Sequence, residues 1–340
     1  GNMKSTAVTN VDKFEHKSKK IRKTPQNPKI DMLERLALSC KTNNFSACIQ
    51  YREEERCKII DMLRRSISTD ANEPSMNNCM IIFGQPGLGK TVLLTEITAG
   101  LKRKDREEYF IKSLSDKTKD LSAISKKKWK IHFYNAVTFE STADLLTDIA
   151  KNVFNHKFTE KTYNADYMLK LIKADMPILL QDYYLVIMID ELEYLLNSDK
   201  RDFNTMVSFL NMKDIGFVKF AISNTLDIIG HVSGTSQALH FDFQSFKPYT
   251  KEKLKGIITT RIDPILDEYN FKREDLLPDS AIDYIAKNNF SNHSSDVRLL
   301  LAICSNMFEL RAEKLKKQLA DSKEIDNSDI LISISDVIDY

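Results

Sequence analysis

The chain has 340 residues, of which 42% are hydrophobic and 29% charged, a composition typical of a folded protein with a sizeable core. Its five cysteines include no C-x-x-C pair, so neither a disulfide framework nor a zinc site is supported. No apolar run approaches the roughly 20 residues of a membrane span, and no signal-type segment opens the chain. We therefore expect an intracellular protein with no membrane partner.

The net charge of +2 conceals two basic segments. Residues 1–30 hold eight Lys or Arg against two acidic residues, and residues 102–130 hold eleven against five, which leaves about −10 for the remainder. The tail carries KSKKIRK at 17–23, which is typical of a nuclear localisation signal or a nucleic-acid arm. A solvated disordered tail is an equally good interpretation.

The first half of the chain alternates helical and strand-like periodicity, which predicts an α/β unit. The predicted helices are residues 30–38, 51–67, 90–101 and 141–154, and the predicted strands are residues 80–83 and 130–137. The charged segment 102–128 is only weakly periodic, so we interpret it as a surface insertion.

A glycine-rich loop, GQPGLGKT, joins the first predicted strand to the helix that follows it. Its three glycines let the backbone turn sharply and direct N–H groups at a polyphosphate, while the helix contributes its positive end. Lys90 is expected to reach the β- and γ-phosphates, and Thr91 to help hold Mg²⁺. A chance glycine turn would leave the lysine unexplained. The nucleotide-binding residues predicted here for ATP or ADP are Gly84, Gln85, Pro86, Gly87, Leu88, Gly89, Lys90 and Thr91.

An uninterrupted apolar run at 183–189 ends in Asp190 and Glu191. Such a strand is buried on both faces, as in a parallel sheet, and ligands bind at the carboxyl ends of such strands. Asp190 is expected to orient Mg²⁺ through water and Glu191 to polarise the attacking water, as in a Walker B motif. An Asp-Glu pair is weak evidence alone, but this one follows a complete P-loop by about a hundred residues.

A further short apolar strand, 218–223, ends in Asn224. At the tip of a strand beside the Walker B strand, its side chain could hydrogen-bond the water or the γ-phosphate. The alternative is an asparagine that only turns the chain. Helices are predicted before these two strands, at 165–173 and 203–210.

From Tyr249 onward the periodicity is helical almost throughout, which predicts a separate α-helical unit that acts as a lid. Its helices are predicted at 251–269, 280–288 and 295–319, with a short element near 332–340. Arg298 lies at the start of the third helix, where it could reach back to a nucleotide. Taken alone, an arginine there would more often be a surface residue.

Six sequence blocks occur in an order typical of one family and span about residues 48–304. The blocks are YREEE at 51–55, GQPGLGKT at 84–91, VIMIDELEYLL at 186–196, ISNTLD at 222–227, FKPYT at 246–250 and SSDVRLLLAIC at 294–304. A later stretch, ISISDV at 332–337, resembles the part that closes the family's lid. On these blocks the chain resembles the AAA+ replication initiators, which comprise the origin recognition complex large subunit and cell division control protein six.

The resemblance implies an α/β fold: a P-loop NTPase parallel sheet with helices on both faces, followed by a small α-helical lid. It implies a nuclear ATP-dependent switch that loads the replicative helicase at origins, with other AAA+ initiator subunits and double-stranded DNA as partners. The expected domains are a basic disordered tail at 1–30, a nucleotide-binding base at 31–245 and the lid at 246–340. The family's winged-helix domain is not expected within this chain.

The resemblance also assigns roles by position. Asn224 matches sensor 1 and Arg298 matches sensor 2, while Arg52 would flank the adenine and Tyr249 would line the base pocket from the lid side. The usual GDAR at sensor 2 is SDVR here, which keeps the acid and the arginine but loses the glycine. No arginine occurs between Asn224 and Arg261, where relatives carry the finger that they offer to a neighbour's nucleotide.

The function that these observations favour is an ATP-binding initiator subunit with slow hydrolysis that depends on a partner's arginine finger. The alternative is a chromatin or scaffold paralogue in which ATP is structural or absent, an interpretation that the missing finger favours. DNA binding by this chain is expected to be weak and salt-dependent, through the tail and the 102–130 insertion. A general AAA+ machine such as a clamp loader lacks support from the YREEE block.

Overall fold

The computed structural model describes eight stretches of the chain. These are residues 27–41, 49–68, 77–113, 121–158, 164–196, 200–225, 241–321 and 323–338. The expectations for the basic tail before residue 27, for the middle of the insertion at 114–120 and for 226–240 lie outside the described residues. Within the described residues, no helix is both long and apolar enough to cross a membrane.

Five parallel strands form one sheet in the order β2–β3–β4–β1–β5. The strands are β1 (Cys79–Phe83), β2 (Lys128–Asn135), β3 (Tyr183–Asp190), β4 (Phe217–Ser223) and β5 (Phe241–Ser245). Because all strands run the same way, the ends of β1, β3 and β4 meet at one edge of the sheet. That edge brings the P-loop together with the polar residues that follow β3 and β4. The predicted parallel α/β fold is confirmed.

Helices cover both faces of the sheet and continue into an all-helical region after β5. They are α1 (Pro28–Cys40), α2 (Glu53–Ile67), α3 (Lys90–Leu101), α4 (Arg106–Ser113), α5 (Thr142–Phe154), α6 (Ala165–Asp182), α7 (Glu193–Leu196), α8 (Lys200–Leu210), α9 (Lys251–Glu268), α10 (Arg273–Leu276), α11 (Asp279–Asn292), α12 (Val297–Ala320) and α13 (Ile334–Ile338). Short 3₁₀ turns occupy Ser122–Ser125 and Ala136–Thr138.

Strand β3 shows why the sequence specifies a sheet with two covered faces. Its side chains alternate between two hydrophobic cores, so that Val186 and Met188 face one core while Ile187 and Ile189 face the other. The first core is shared with α2, α3 and the lid helices, and the second with α5, α6 and α8. A strand that is apolar at every position satisfies both cores at once.

The amino-terminal helix α1 packs against the lid helices α9 and α12 rather than against the sheet. The Ser305 hydroxyl donates to the Ala37 carbonyl at 2.9 Å, and Arg261 Nη1 donates to the Ser39 carbonyl at 2.7 Å. Lys29 Nζ donates to the Ile325 carbonyl at 2.9 Å, beyond the end of α12. A segment that precedes the sheet in sequence therefore forms part of the lid's packing.

Most predicted elements match the structure to within a few residues. The short helices α7 and α10 were not predicted, and three larger differences remain. Helix α6 continues to Asp182, nine residues beyond its predicted end, and holds Pro177 in its interior. Part of the segment interpreted as a surface insertion forms α4 and a 3₁₀ turn. Strand β5 was not predicted, because FDFQS is short and lies at the edge of the sheet, where two of its five residues remain exposed.

Candidate functional site

The P-loop between β1 and α3 requires its glycines. Gly84, Gly87 and Gly89 have φ values of 147°, 77° and 86°, which side-chain-bearing residues rarely adopt. A Cβ atom at Gly84 would lie 2.6 Å from the Phe246 carbonyl oxygen, and one at Gly87 would lie 1.9 Å from the Asp296 carboxylate. The loop is therefore enclosed on two sides, by the strand that leads to the lid and by the lid itself.

Lys90 is the first residue of α3, and its side chain folds back over the loop. Its Nζ donates to the carbonyls of Gly84 and Gln85 at 2.6 and 2.8 Å, and to Asn224 Oδ1 at 3.0 Å. Burial lowers the pKa of Lys90 to about 8, an effect that nearby carboxylates oppose. An anion beside this amine would restore the charged form, which is what a phosphate-binding lysine requires.

Thr91 and Asp190 meet across the strand edge, where the Thr91 hydroxyl donates to Asp190 Oδ2 at 2.7 Å. The other carboxylate oxygen of Asp190 accepts the Glu191 N–H at 2.9 Å. Glu191 has φ of 55°, a strained conformation that is found at functional turns and that takes the chain sharply out of β3. The structure thus brings together the hydroxyl and the carboxylate that the sequence assigned to Mg²⁺.

Asn224 lies at the tip of β4, and its side-chain oxygen contacts Lys90 as described above. Its backbone N–H donates to Glu193 Oε1 at 3.1 Å, while Glu193 Oε2 is buried with no partner among the described residues. Sequence reasoning missed Glu193. Its signal was the second glutamate of the DELE block, three residues after Asp190, on the turn that faces the neighbouring strand tip.

The lid contacts the P-loop directly through the segment before α12. The Val297 N–H donates to the Gly87 carbonyl at 3.2 Å, and the Asp296 carboxylate lies against Gly87. Arg298 forms a bidentate contact with Asp296, at 3.2 Å for Nε and 2.8 Å for Nη2. That contact is the main cause of the raised pKa of Arg298, and the charge of Glu191 adds to it. Arg298 is therefore within electrostatic reach of Glu191.

Arg52 and Tyr249 meet at the junction between the base and the lid. Arg52 Nε donates to the Tyr249 hydroxyl at 2.9 Å, and the guanidinium lies 4.0 Å from the centre of the Tyr249 ring and 4.9 Å from that of Phe246. Its two terminal nitrogens bond Glu55 and the Lys247 carbonyl. Arg52 is only 3% exposed and contacts protein groups on every side.

Arg56 and Glu96 form a second buried contact that sequence reasoning missed. Arg56 Nη2 donates to Glu96 Oε1 at 2.8 Å and to the Ile49 carbonyl at 3.1 Å, and Glu96 accepts the Ile49 N–H at 2.9 Å. These contacts hold Ile49 beside Gly89. A Cβ atom on Gly89 would lie 2.3 Å from Cδ1 of Ile49. The chain before α2 thus covers the helix end of the P-loop.

These residues fit a nucleotide with a divalent cation. The glycines form a backbone cradle with no room for side chains, and a partly desolvated lysine amine points into it. The Thr91 hydroxyl and the Asp190 carboxylate are oxygen donors of the kind that Mg²⁺ prefers. The cation would supply charge for the polyphosphate, and the lid segment would close the site from above.

Comparison with known proteins gives concordant matches. An AAA domain family model matches residues 74–227. Origin recognition complex subunit 1 of Schizosaccharomyces pombe is 23% identical over 269 residues, or 78% of this chain and 33% of the relative. The same subunit of Debaryomyces hansenii is 27% identical over 276 residues, or 76% and 30%. This chain therefore spans about a third of the length of the curated relatives it matches.

Solved structures match the fold over most of the chain. The Drosophila origin recognition complex bound to DNA contains a chain with a TM-score of 0.61 and 18% identity, covering 95% of this chain and 68% of its own. The Aeropyrum pernix ORC1 protein in complex with DNA gives a TM-score of 0.59 and 16% identity, covering 89% and 68%. At this identity the likeness shows the fold.

The parallel sheet and the loop at its edge define a nucleotide-binding module of the AAA+ class. Within that class, the chain is similar in sequence to origin recognition complex subunit 1 over about three quarters of its length, as the order of its motifs predicted. The family resemblance and the fold predicted from sequence are both confirmed.

Proposed function

We propose that this chain is a subunit of a replication-origin initiator and that ATP controls its conformation. The observation that carries the proposal is the direct contact between lid and P-loop, where Val297 donates to the Gly87 carbonyl. A polyphosphate in the cradle would contact the same loop, so nucleotide binding and lid position are linked. The similarity to origin recognition complex subunit 1 of two yeasts supports the initiator context.

In this proposal the site residues have separate roles. Lys90 neutralises the β- and γ-phosphates, while Thr91 and Asp190 hold Mg²⁺, directly or through water. Glu191 orients and polarises the attacking water. Three further side chains support the nucleotide: Asn224 at the γ-phosphate, Arg298 from the lid and Tyr249 at the base pocket. The loop that holds the phosphates consists of Gly84, Gln85, Pro86, Gly87, Leu88 and Gly89.

The contacts of Arg52 support a role different from direct adenine recognition. Its donors are taken by Tyr249, Glu55 and the Lys247 carbonyl, so it clamps the junction that sets the lid angle. Glu193 holds the sensor 1 backbone in place. We also propose a base at 31–245 and a lid at 246–340, with α1 packed on the lid.

Partners of the proposed subunit are other AAA+ initiator subunits, the replicative helicase and double-stranded DNA, in the nucleus. The DNA partner is supported by the similar folds of a chain in the Drosophila origin recognition complex and of the Aeropyrum pernix ORC1 protein, both of which were solved with DNA. The sequence interval without arginine favours a second candidate, a scaffold paralogue in which bound ATP only stabilises the fold. Hydrolysis by the initiator itself would be slow and would depend on a partner's arginine.

Isothermal titration with ATP tests the nucleotide site. Lys90→Ala removes the amine that faces the phosphates, and we expect no measurable binding, while Glu191→Gln keeps the cradle intact and retains the wild-type affinity. Circular dichroism checks that both variants are folded. Equal affinity of Lys90→Ala and wild type would show that the P-loop does not bind the phosphates of ATP. ATP binding that leaves the position of the lid unchanged would favour the scaffold.

A further inference from the structure

The segment between α3 and β2 forms a basic corner at the end of the sheet away from the P-loop. Its described parts, residues 102–113 and 121–130, hold nine lysines and arginines against three acidic residues. Helix α3 has 12 residues, so its end lies about 18 Å from the Lys90 end. Phosphates at this corner would therefore be distinct from those of the nucleotide.

One arginine joins the two halves of the corner. Arg106 donates to the Arg103 carbonyl at 3.2 Å in the first half, and to the carbonyls of Ile124, Ser125 and Lys127 at 3.2 to 3.4 Å in the second. The indole of Trp129 also donates to the Ile124 carbonyl, at 3.0 Å. The loops that carry the lysines are thus fixed relative to each other, although they are 20 residues apart in sequence.

The lysines of the corner fall into two groups. Lys127 and Lys130 are engaged, since Lys127 Nζ donates to the Leu180 carbonyl and Lys130 Nζ lies 4.7 Å from the centre of the Tyr183 ring. The lysines of the other group are exposed. Among the described residues, none of these lysines has a carboxylate within ion-pair distance. It consists of Lys102, Lys104, Lys126 and Lys128.

The two halves share one electrostatic field. His132 lies on β2, two residues after Lys130, and its pKa is lowered to about 4, first by burial and then by the charges of Lys130 and Lys102. His132 is therefore neutral at physiological pH and adds no charge to the corner. The positive charge of the corner comes from its exposed lysines, and the rest of the chain carries a net negative charge.

We propose that Lys102, Lys104, Lys126 and Lys128 form a docking surface for the phosphate backbone of double-stranded DNA. This inference rests on the proposed function for its choice of partner. A duplex presents about one charge per 1.7 Å of axis in a stiff array, which suits point charges fixed on two tied loops. Flexible lysine ammonium groups contact phosphates without reading bases, so the surface binds duplexes of different sequence alike.

The test compares two variants of the full chain that carry the same change in charge. The first converts Lys102, Lys104, Lys126 and Lys128 to Gln. The matched control converts four exposed lysines of the lid region, Lys287, Lys314, Lys317 and Lys323, to Gln. Fluorescence anisotropy with a labelled 30-base-pair duplex, without nucleotide, gives the affinity at several KCl concentrations. Both variants keep the basic tail, so its contribution cancels.

Each phosphate contact contributes about 0.9 to the slope of log affinity against log salt. We expect the corner variant, which lacks four lysines, to lose a slope of about 3.6 and at least tenfold in affinity at low salt, and the control to lose less than 1 in slope. Equal losses in both variants would overturn the proposal, as would stronger binding of polyglutamate than of duplex. ATP titration of the corner variant separates the two proposals, because the nucleotide site lies elsewhere and retains its affinity.

Discussion

Arg52 lies over the ring of Tyr249, with 4.0 Å between the guanidinium carbon and the ring centre and a 2.9 Å hydrogen bond from Nε to the hydroxyl. Desolvation strengthens a cation–π contact, and Arg52 is 3% exposed. Arg52 precedes the first strand of the sheet, and Tyr249 lies at the start of the lid. Their contact therefore joins two parts of the chain that are almost 200 positions apart.

Arg52→Lys should keep the charge and remove the planar fork, which makes three of the contacts at the junction. We expect unfolding to require about 2 kcal/mol less free energy and nucleotide affinity to fall, because the lid angle is no longer set. Urea denaturation and ATP titration measure the two effects. The matched control is Arg35→Lys, since Arg35 also lies over a tyrosine, Tyr269, but is exposed.

The control should change stability by less than about 0.5 kcal/mol, as is usual for exposed pairs. If the two variants lose equal stability, burial of Arg52 is not what makes the junction strong. If Arg52→Lys loses stability but binds ATP as before, Arg52 does not position the lid over the nucleotide.

Ser295 occupies the place where the family pattern has glycine, and the structure gives a physical reason for that pattern. Its φ of 64° lies in the left-handed region, which costs a serine roughly 1 kcal/mol relative to glycine. The side chain is fully buried, and its hydroxyl donates to the Tyr249 carbonyl at 2.7 Å. In this chain, the hydrogen bond from Ser295 to Tyr249 offsets the conformational cost of having serine in place of glycine.

Two substitutions at Ser295 separate these contributions. Ser295→Ala loses the hydrogen bond and keeps the strained backbone, so we expect it to be destabilised by about 1 to 3 kcal/mol. Ser295→Gly loses the bond but relieves the strain, and should be more stable than the alanine variant by about 1 kcal/mol. Urea midpoints compare them directly. An alanine variant as stable as the glycine variant would show that the backbone is not strained there.

The sequence predicted the parts of the site whose signal is local. The P-loop, Asp190, Glu191 and Asn224 follow strands in short motifs, and the strand edge brings them together as expected. The packing of α1 on α12 depends on contacts between residues such as Ala37 and Ser305, nearly 270 positions apart, and no local pattern encodes them. Glu193 was missed for the same reason, because its role depends on which strand lies beside it.

Lys219 is a fully buried lysine on β4 whose Nζ donates to the Met212 carbonyl at 2.6 Å and to Asn78 Oδ1 at 3.2 Å. Burial lowers its pKa to about 8 from the usual 10.5. The unfolded chain thus binds more protons between these two pH values. The free energy of unfolding therefore rises with pH over that window, and the cost of burying the charge is fully present below it.

Lys219→Met should remove this part of the pH dependence. Between pH 8 and 9.5, the stability of wild type relative to the variant should increase by about 2 kcal/mol. Urea denaturation at the two pH values measures the change, and Lys90 contributes equally to both proteins. Lys287→Met, at an exposed lysine, serves as the control and should run parallel to wild type. A constant difference between wild type and Lys219→Met would show that the buried amine does not titrate in this window.

The stretch of chain after Asn224 contains no arginine that could serve as a finger for a neighbour's nucleotide. No arginine occurs between Thr225 and Thr260, and the next one, Arg261, lies in α9 and donates to the Ser39 carbonyl of α1. Arg261 therefore belongs to the packing between the lid and α1. A finger arginine accelerates related phosphoryl transfers by roughly 10³ to 10⁵. Lys247 is the first lysine in the interval, but it lies at the lid junction and cannot reproduce the forked contact.

We therefore expect the protein alone to hydrolyse ATP very slowly, to be accelerated by a partner that supplies an arginine, and to accelerate no partner itself. A mixing experiment measures this. Lys90→Ala protein, which should not bind ATP, is combined with ATP-competent AAA+ partners, and turnover by the partner is recorded with and without it. Only the partner's nucleotide can be hydrolysed in that mixture. If the Lys90→Ala protein accelerates the partner, and the Lys90→Ala, Lys247→Ala double variant does not, then Lys247 acts on the partner's nucleotide and the prediction is wrong.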